Sequence, residues 1–121
     1  MEEAYCSYEV SKLLKEKGFD EECTHYYSYE DGKLIEYTNG VYSRNSKDCH
    51  RCTSPTHQMA CAWLREVHNI FILVGWNPIH KEYFTRILNM NDGCPKRNIH
   101  EYAGYEDAIE AALKYVLENL I

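Results

Sequence analysis

The chain has 121 residues, 45% hydrophobic and 26% charged, with a formal net charge of −6. That length suits a single domain spanning 1–121, and the composition is that of a folded chain rather than a disordered one. Scattered Lys and Arg in an acidic background weigh against duplex nucleic acid as a partner, and no apolar run approaches the ~18 residues of a membrane span.

The N-terminal MEEAYCSYEV is acidic and lacks a basic segment followed by an apolar stretch. The expectation is a cytoplasmic protein whose six cysteines are reduced. The first helix is expected from about Tyr8 to Lys17. Ser7 is its N-cap, Val10, Leu13 and Leu14 lie on its apolar side, and Gly18-Phe19 is its stop. Two β-favouring runs follow, His25 to Tyr29 and Lys33 to Tyr37, and the Asp31-Gly32 turn between them predicts a hairpin. From Thr38 to Thr53 the periodicity disappears, which predicts a long irregular loop of the kind that often carries function.

The second helix is expected to start with Ser54 as cap and Pro55 in the first position. Met59, Ala60, Trp63, Leu64 and Val67 would form its apolar face, with His57, Cys61, Arg65 and His68 on a more polar neighbouring face. Ile70 to Trp76 is almost wholly apolar and predicts a central strand, which Asn77-Pro78 ends. Glu82 to Met90 predicts another strand, and Cys94 to Tyr102 a loop with at most a short edge strand. The last helix begins near Glu106. Ile109, Ala112, Leu113, Val116, Leu117 and Leu120 repeat on one side, and Glu110 and Lys114 are spaced to pair. The order αββαββα implies an α+β fold, a mostly antiparallel sheet of about four strands with three helices packed on it.

Three segments carry a resemblance: SYEVSKLLKEKGF (Ser7 to Phe19), PTHQMACAWLREVHNI (Pro55 to Ile70) and YEDAIEAALKYVLENLI (Tyr105 to Ile121). They resemble small proteins encoded by phages and mobile elements of gut Bacteroidales-type bacteria. In the middle segment the matching positions are Pro55, Thr56, Ala60, Trp63, Leu64, Arg65 and Glu66. The resemblance implies a phage-type origin and, with it, an anti-defence protein that sequesters a nucleotide-derived immune signal in the host cytosol without chemistry. The stretch between the first two helices lies outside it.

No nucleotide-binding glycine loop, nucleophile elbow or metalloprotease helix motif is present, and no Cys–His pair sits in a catalytic signature. A non-enzymatic binding protein is therefore expected. Of the 11 tyrosines, five cluster at Tyr26, Tyr27, Tyr29, Tyr37 and Tyr42. They are half-buried strand residues or a stacking wall for a base. In the second case Tyr27, Tyr29, Tyr42 and Trp76 supply rings, and Arg44, Arg51, Arg65 and Arg86 supply contacts to phosphate. Two copies meeting at such a site would enclose a small ligand, so self-association is expected. Trp76 otherwise belongs to the core.

Cys49-x2-Cys52-x4-His57-x3-Cys61 has the ligand types of a zinc site, and His57 and Cys61 lie one helical turn apart. The alternative is a solvent-facing loop with incidental thiols. Two further functions stay open: a protein–protein inhibitor of a host factor, and a small zinc-stabilised interaction module.

Overall fold

The computed structural model describes residues 4–37, 45, 51–93 and 95–121, with backbone alone for 95–100. It is an α+β protein with three helices and two three-stranded antiparallel sheets. No described helix is long and apolar enough to cross a membrane. The chain divides into two compact units, Met1–Thr56 and His57–Ile121.

In the first unit, α1 (Tyr8–Glu16) is capped by Ser7, whose hydroxyl accepts from the Val10 N–H at 3.2 Å. Gly18 has φ +92°, and the N–H groups of Gly18 and Phe19 return to the carbonyls of Lys15 and Leu14. This is the left-handed stop the sequence predicts, and it turns Phe19 into the core. Strands β1 (His25–Ser28) and β2 (Leu34–Glu36) form the expected hairpin, with Tyr26 opposite Ile35 and Gly32 at φ +67°.

The irregular loop expected as far as Thr53 ends earlier. Arg51–Thr53 is a strand, β3, paired antiparallel with β1 to give the order β2-β1-β3. Most of the remainder of that loop, 38–44 and 46–50, lies outside the described residues. Asn45 clamps the start of the unit to its end: its side chain donates to the Phe19 carbonyl and accepts from the Thr53 N–H. Cys6 N–H donates to the Pro55 carbonyl, and Tyr5 forms a bridge with Thr56.

That bridge moves the start of α2. The helix spans His57–His68, so Ser54 and Pro55 precede it rather than cap it. The Ser54 hydroxyl donates instead to the Cys6 carbonyl at 3.0 Å. Ala60, Trp63 and Leu64 are buried as expected, whereas Val67 is 55% exposed and His57 is buried.

In the second unit, β4 (Ile70–Asn77), β5 (Glu82–Asn89) and β6 (Pro95–Tyr102) make a sheet in that order. β5 is therefore central and the apolar β4 is an edge. The segment expected as a loop from 94 is a full strand with bulges in its pairing to β5. α3 (Tyr105–Asn119) buries Ala108, Ile109, Ala112, Leu113, Val116 and Leu117. It packs with α2 on the face that holds Ile70, Thr85 and Ile87. The order among the described residues is thus αβββαβββα, with six strands against the four or so that the sequence predicts.

Candidate functional site

Strand β1 alternates, so its tyrosines divide between two faces of the first sheet. Tyr27 faces α1, where its ring stacks on Tyr8 at 5.4 Å and its hydroxyl donates to the Cys6 carbonyl at 2.9 Å. Tyr29 lies in the turn beyond, 6.1 Å from Tyr8. Burial, then the neighbouring Cys52, Tyr8 and Glu16, pushes the Tyr29 hydroxyl up to about 12. Burial also raises the Cys52 thiol, against the opposing hydrogen bond from Tyr29. Lys12 and Lys15 sit over the rings of Tyr8 and Tyr29, and Lys15 Nζ donates to the Arg51 carbonyl at 2.7 Å. Tyr27 and Tyr29, the two described tyrosines of the expected stacking wall, are thus held by α1 and β3.

The opposite face is built differently. Tyr26 and Tyr37 approach to 4.6 Å between ring centroids. The hairpin register explains the contact: Tyr26 pairs with Ile35, and Tyr37 is the diagonal neighbour two residues on. Arg51 enters from the other side, since it pairs with Ser28 two residues beyond Tyr26. Its guanidinium carbon lies 5.3 Å from the Tyr26 centroid and 5.6 Å from that of Tyr37. Arg51 is exposed and the two rings are half-buried. The arrangement is a cation resting on an aromatic pair, with rings and guanidinium donors open to a planar anion. Tyr26 and Tyr37 belong to the tyrosine cluster visible in the sequence but are not among the rings expected there to meet a ligand; the hairpin register is what makes them neighbours.

The other expected ligand contacts are elsewhere. Tyr42 and Arg44 lie outside the described residues. Arg65 is in α2 and meets Glu66 at 3.8 Å. Trp76 is 49% exposed, so it is not a core residue; its ring contacts Tyr83 edge-on at 4.8 Å, and Tyr83 in turn contacts Tyr105. Arg86 is on the opposite face of that sheet, with its guanidinium 5.8 Å from the Phe84 ring centroid. Trp76 and Arg86 are therefore not brought together.

The expected zinc ligands come from different elements. Cys49 lies outside the described residues, Cys52 belongs to β3 in the first unit, and His57 and Cys61 belong to α2 in the second. His57 Nε2 lies 2.7 Å from Glu110 Oε1 on α3. Burial pushes the Cys61 thiol up to about 11, with Arg65 opposing the shift. None of Cys6, Cys23, Cys52 and Cys61 forms a disulfide among the described residues.

No family model, curated protein or solved structure matches the chain.

Proposed function

We propose that this chain is a non-catalytic binding protein for a small nucleotide-derived anion, held at Tyr26, Tyr37 and Arg51. The observation that carries this reading is the Arg51 guanidinium lying over both tyrosine rings, on the face of β2-β1-β3 opposite Tyr27. A purine or pyrimidine gains roughly 1–3 kcal/mol from stacking on an aromatic side chain, whatever its identity. A guanidinium beside it supplies two parallel N–H donors to a phosphate. In this sequence Tyr42 and Arg44 fall between Tyr37 and Arg51 and extend the same chemistry. The resemblance to small phage proteins supports a particular use of such a site: sequestering a host immune signal, with the ligand released unchanged.

Calorimetry against cyclic dinucleotides, cyclic oligonucleotides and cyclic ADP-ribose isomers tests the proposal. Saturable binding of at least one is expected, weakened at least about tenfold in Arg51→Ala through loss of a charge-assisted bond. No heat with any member of the panel at high protein concentration sinks it. Chromatography of whatever the heat-denatured protein releases separates capture from cleavage, since an altered ligand would indicate an enzyme.

A further inference from the structure

The second sheet has one face under α2 and α3, and a second face built from the alternate residues. On β4 that outer face holds Phe71, Leu73 and Gly75; on β5 it holds Glu82, Phe84, Arg86 and Leu88. Leu73 is 45% exposed and Arg86 is exposed. Antiparallel sheets ordinarily turn polar residues to an open face. Here the middle of that face is apolar. A Cβ on Gly75 would stand 2.3 Å from Phe84 Cζ, so the Phe84 ring lies directly over the glycine.

The charges on this face are arranged about Phe84. Arg86 lies two residues to one side of it on β5 and Glu82 two residues to the other. Among the described residues no carboxylate pairs with Arg86; its guanidinium rests on the Phe84 ring. At the Glu82 end, Glu101 on β6 adds a second carboxylate, and its hydrogen bond to Glu82, with desolvation adding to it, raises the Glu82 carboxyl above its ordinary range. A plus–apolar–minus row centred on one residue is self-complementary. Turned over about a two-fold axis at its centre, it sets plus on minus at both ends.

From this pattern we infer that the outer face of β4-β5-β6 is a self-association surface. It joins two copies of this chain about a two-fold axis near Phe84, with Arg86 of each copy against Glu82 of the other. Two sheets packed face to face are about 10 Å apart, a gap that an arginine and a glutamate side chain span together. Three strands of this length offer a patch of roughly 26 by 14 Å, smaller than a standard specific interface and of the size of weak, transient ones. The dimer accordingly forms in the micromolar range rather than the nanomolar.

Sedimentation velocity of the full chain over a concentration series reads the equilibrium. The wild type is expected to shift from monomer to dimer across roughly 1–300 µM, the range a small interface allows. Arg86→Glu and Glu82→Arg should each weaken dimerisation at least about tenfold, because each sets like charges opposite one another. Mixed in equal amounts, the two variants should recover the wild-type dimer, since both contacts are then opposite in sign. This recovery separates a lost contact from a damaged fold. A wild type that stays monomeric throughout, single variants that dimerise as the wild type does, or a mixture that remains monomeric would each overturn the inference.

Discussion

His57 Nε2 and Glu110 Oε1 lie 2.7 Å apart, joining the first turn of α2 to the middle of α3. The sequence suggested a metal as the partner of His57, and its contact with Glu110 on another helix is not visible there. Among expected surface charges this one is part-buried, which raises the cost of leaving its partner alone. Glu110→Leu removes the acceptor and leaves a buried imidazole nitrogen unsatisfied, at an expected cost of about 1–3 kcal/mol. Glu110→Gln keeps an acceptor oxygen and should cost less. Urea unfolding of both variants measures the difference.

The Tyr27 hydroxyl to Cys6 carbonyl bond makes a second test. Tyr27→Phe preserves the ring stacked on Tyr8 and removes only the donor. A loss of about 1 kcal/mol is expected by urea unfolding. Arg51→Ala, which removes an exposed guanidinium resting on the Tyr26 and Tyr37 rings, should cost no more than about 1 kcal/mol. An unchanged Tyr27→Phe variant would show that the hydroxyl finds water as good a partner.

Alkaline pH should destabilise the protein through its buried thiols. Burial pushes the thiols of Cys23 and Cys61 up to about 11 from an ordinary value of 9.0. Below pH 9 these thiols are neutral in both folded and unfolded chains, and their contribution to stability is complete. Between pH 9 and 11 only the unfolded chain ionises them, so stability falls as pH rises. The loss approaches roughly 2–3 kcal/mol per thiol at 1.4 kcal/mol per pH unit. Urea midpoints at pH 8 and pH 10.5 check this, and Cys61→Ala should flatten the slope. Iodoacetamide at pH 7.5 should label both thiols slowly until the protein unfolds.

Gly75 and Phe84 are paired across β4 and β5, with the Phe84 ring lying over the glycine. Gly75→Ala forces the Phe84 ring off the strand, and a destabilisation of about 1–2 kcal/mol is expected. The ring is at the surface and can swing aside, which keeps the cost below that of a fully enclosed clash. In a Phe84→Leu background the same substitution should cost markedly less. Strict additivity of the two changes in urea unfolding would contradict the contact.

The elements that local chemistry specifies were legible in the sequence. Ser7 and Gly18 set the ends of α1, Asp31-Gly32 set the hairpin, and the repeat from Ile109 to Leu117 set α3. Elements that exist through their partners were not. Arg51–Thr53 is too short and polar to show itself, and pairing with β1 makes it a strand. β6 is a polar run, PKRNIHEY, as suits an edge that must not recruit another chain. β4 reads as central because both its faces are apolar, yet one lies against helices and the other is open. The start of α2 was misplaced because Thr56 is taken up by a bridge to Tyr5, a contact between residues distant in sequence. For the candidate site, the tyrosine stretch was visible but its division between faces depends on register, which assigns Tyr26 and Tyr37, not Tyr27 and Tyr29, to Arg51.

The pairing of β3 with β1 also bears on the order in which the chain acquires structure. β4 and β5 are joined by Pro78 to Lys81 alone, whereas β3 returns to its sheet only after residues 37–50. Closing the longer connection costs about 1 kcal/mol more in chain entropy, and only three residues of ladder offset it. A nine-residue helix such as α1 is not stable alone and depends on the sheet it covers. The first unit should therefore consolidate late, with β3 and α1 docking together, after the β4-β5 hairpin has already formed. Pulse-labelling hydrogen exchange during refolding would then protect the Leu73 and Arg86 amides, a hydrogen-bonded pair of that hairpin, ahead of those of Tyr27 and Leu14.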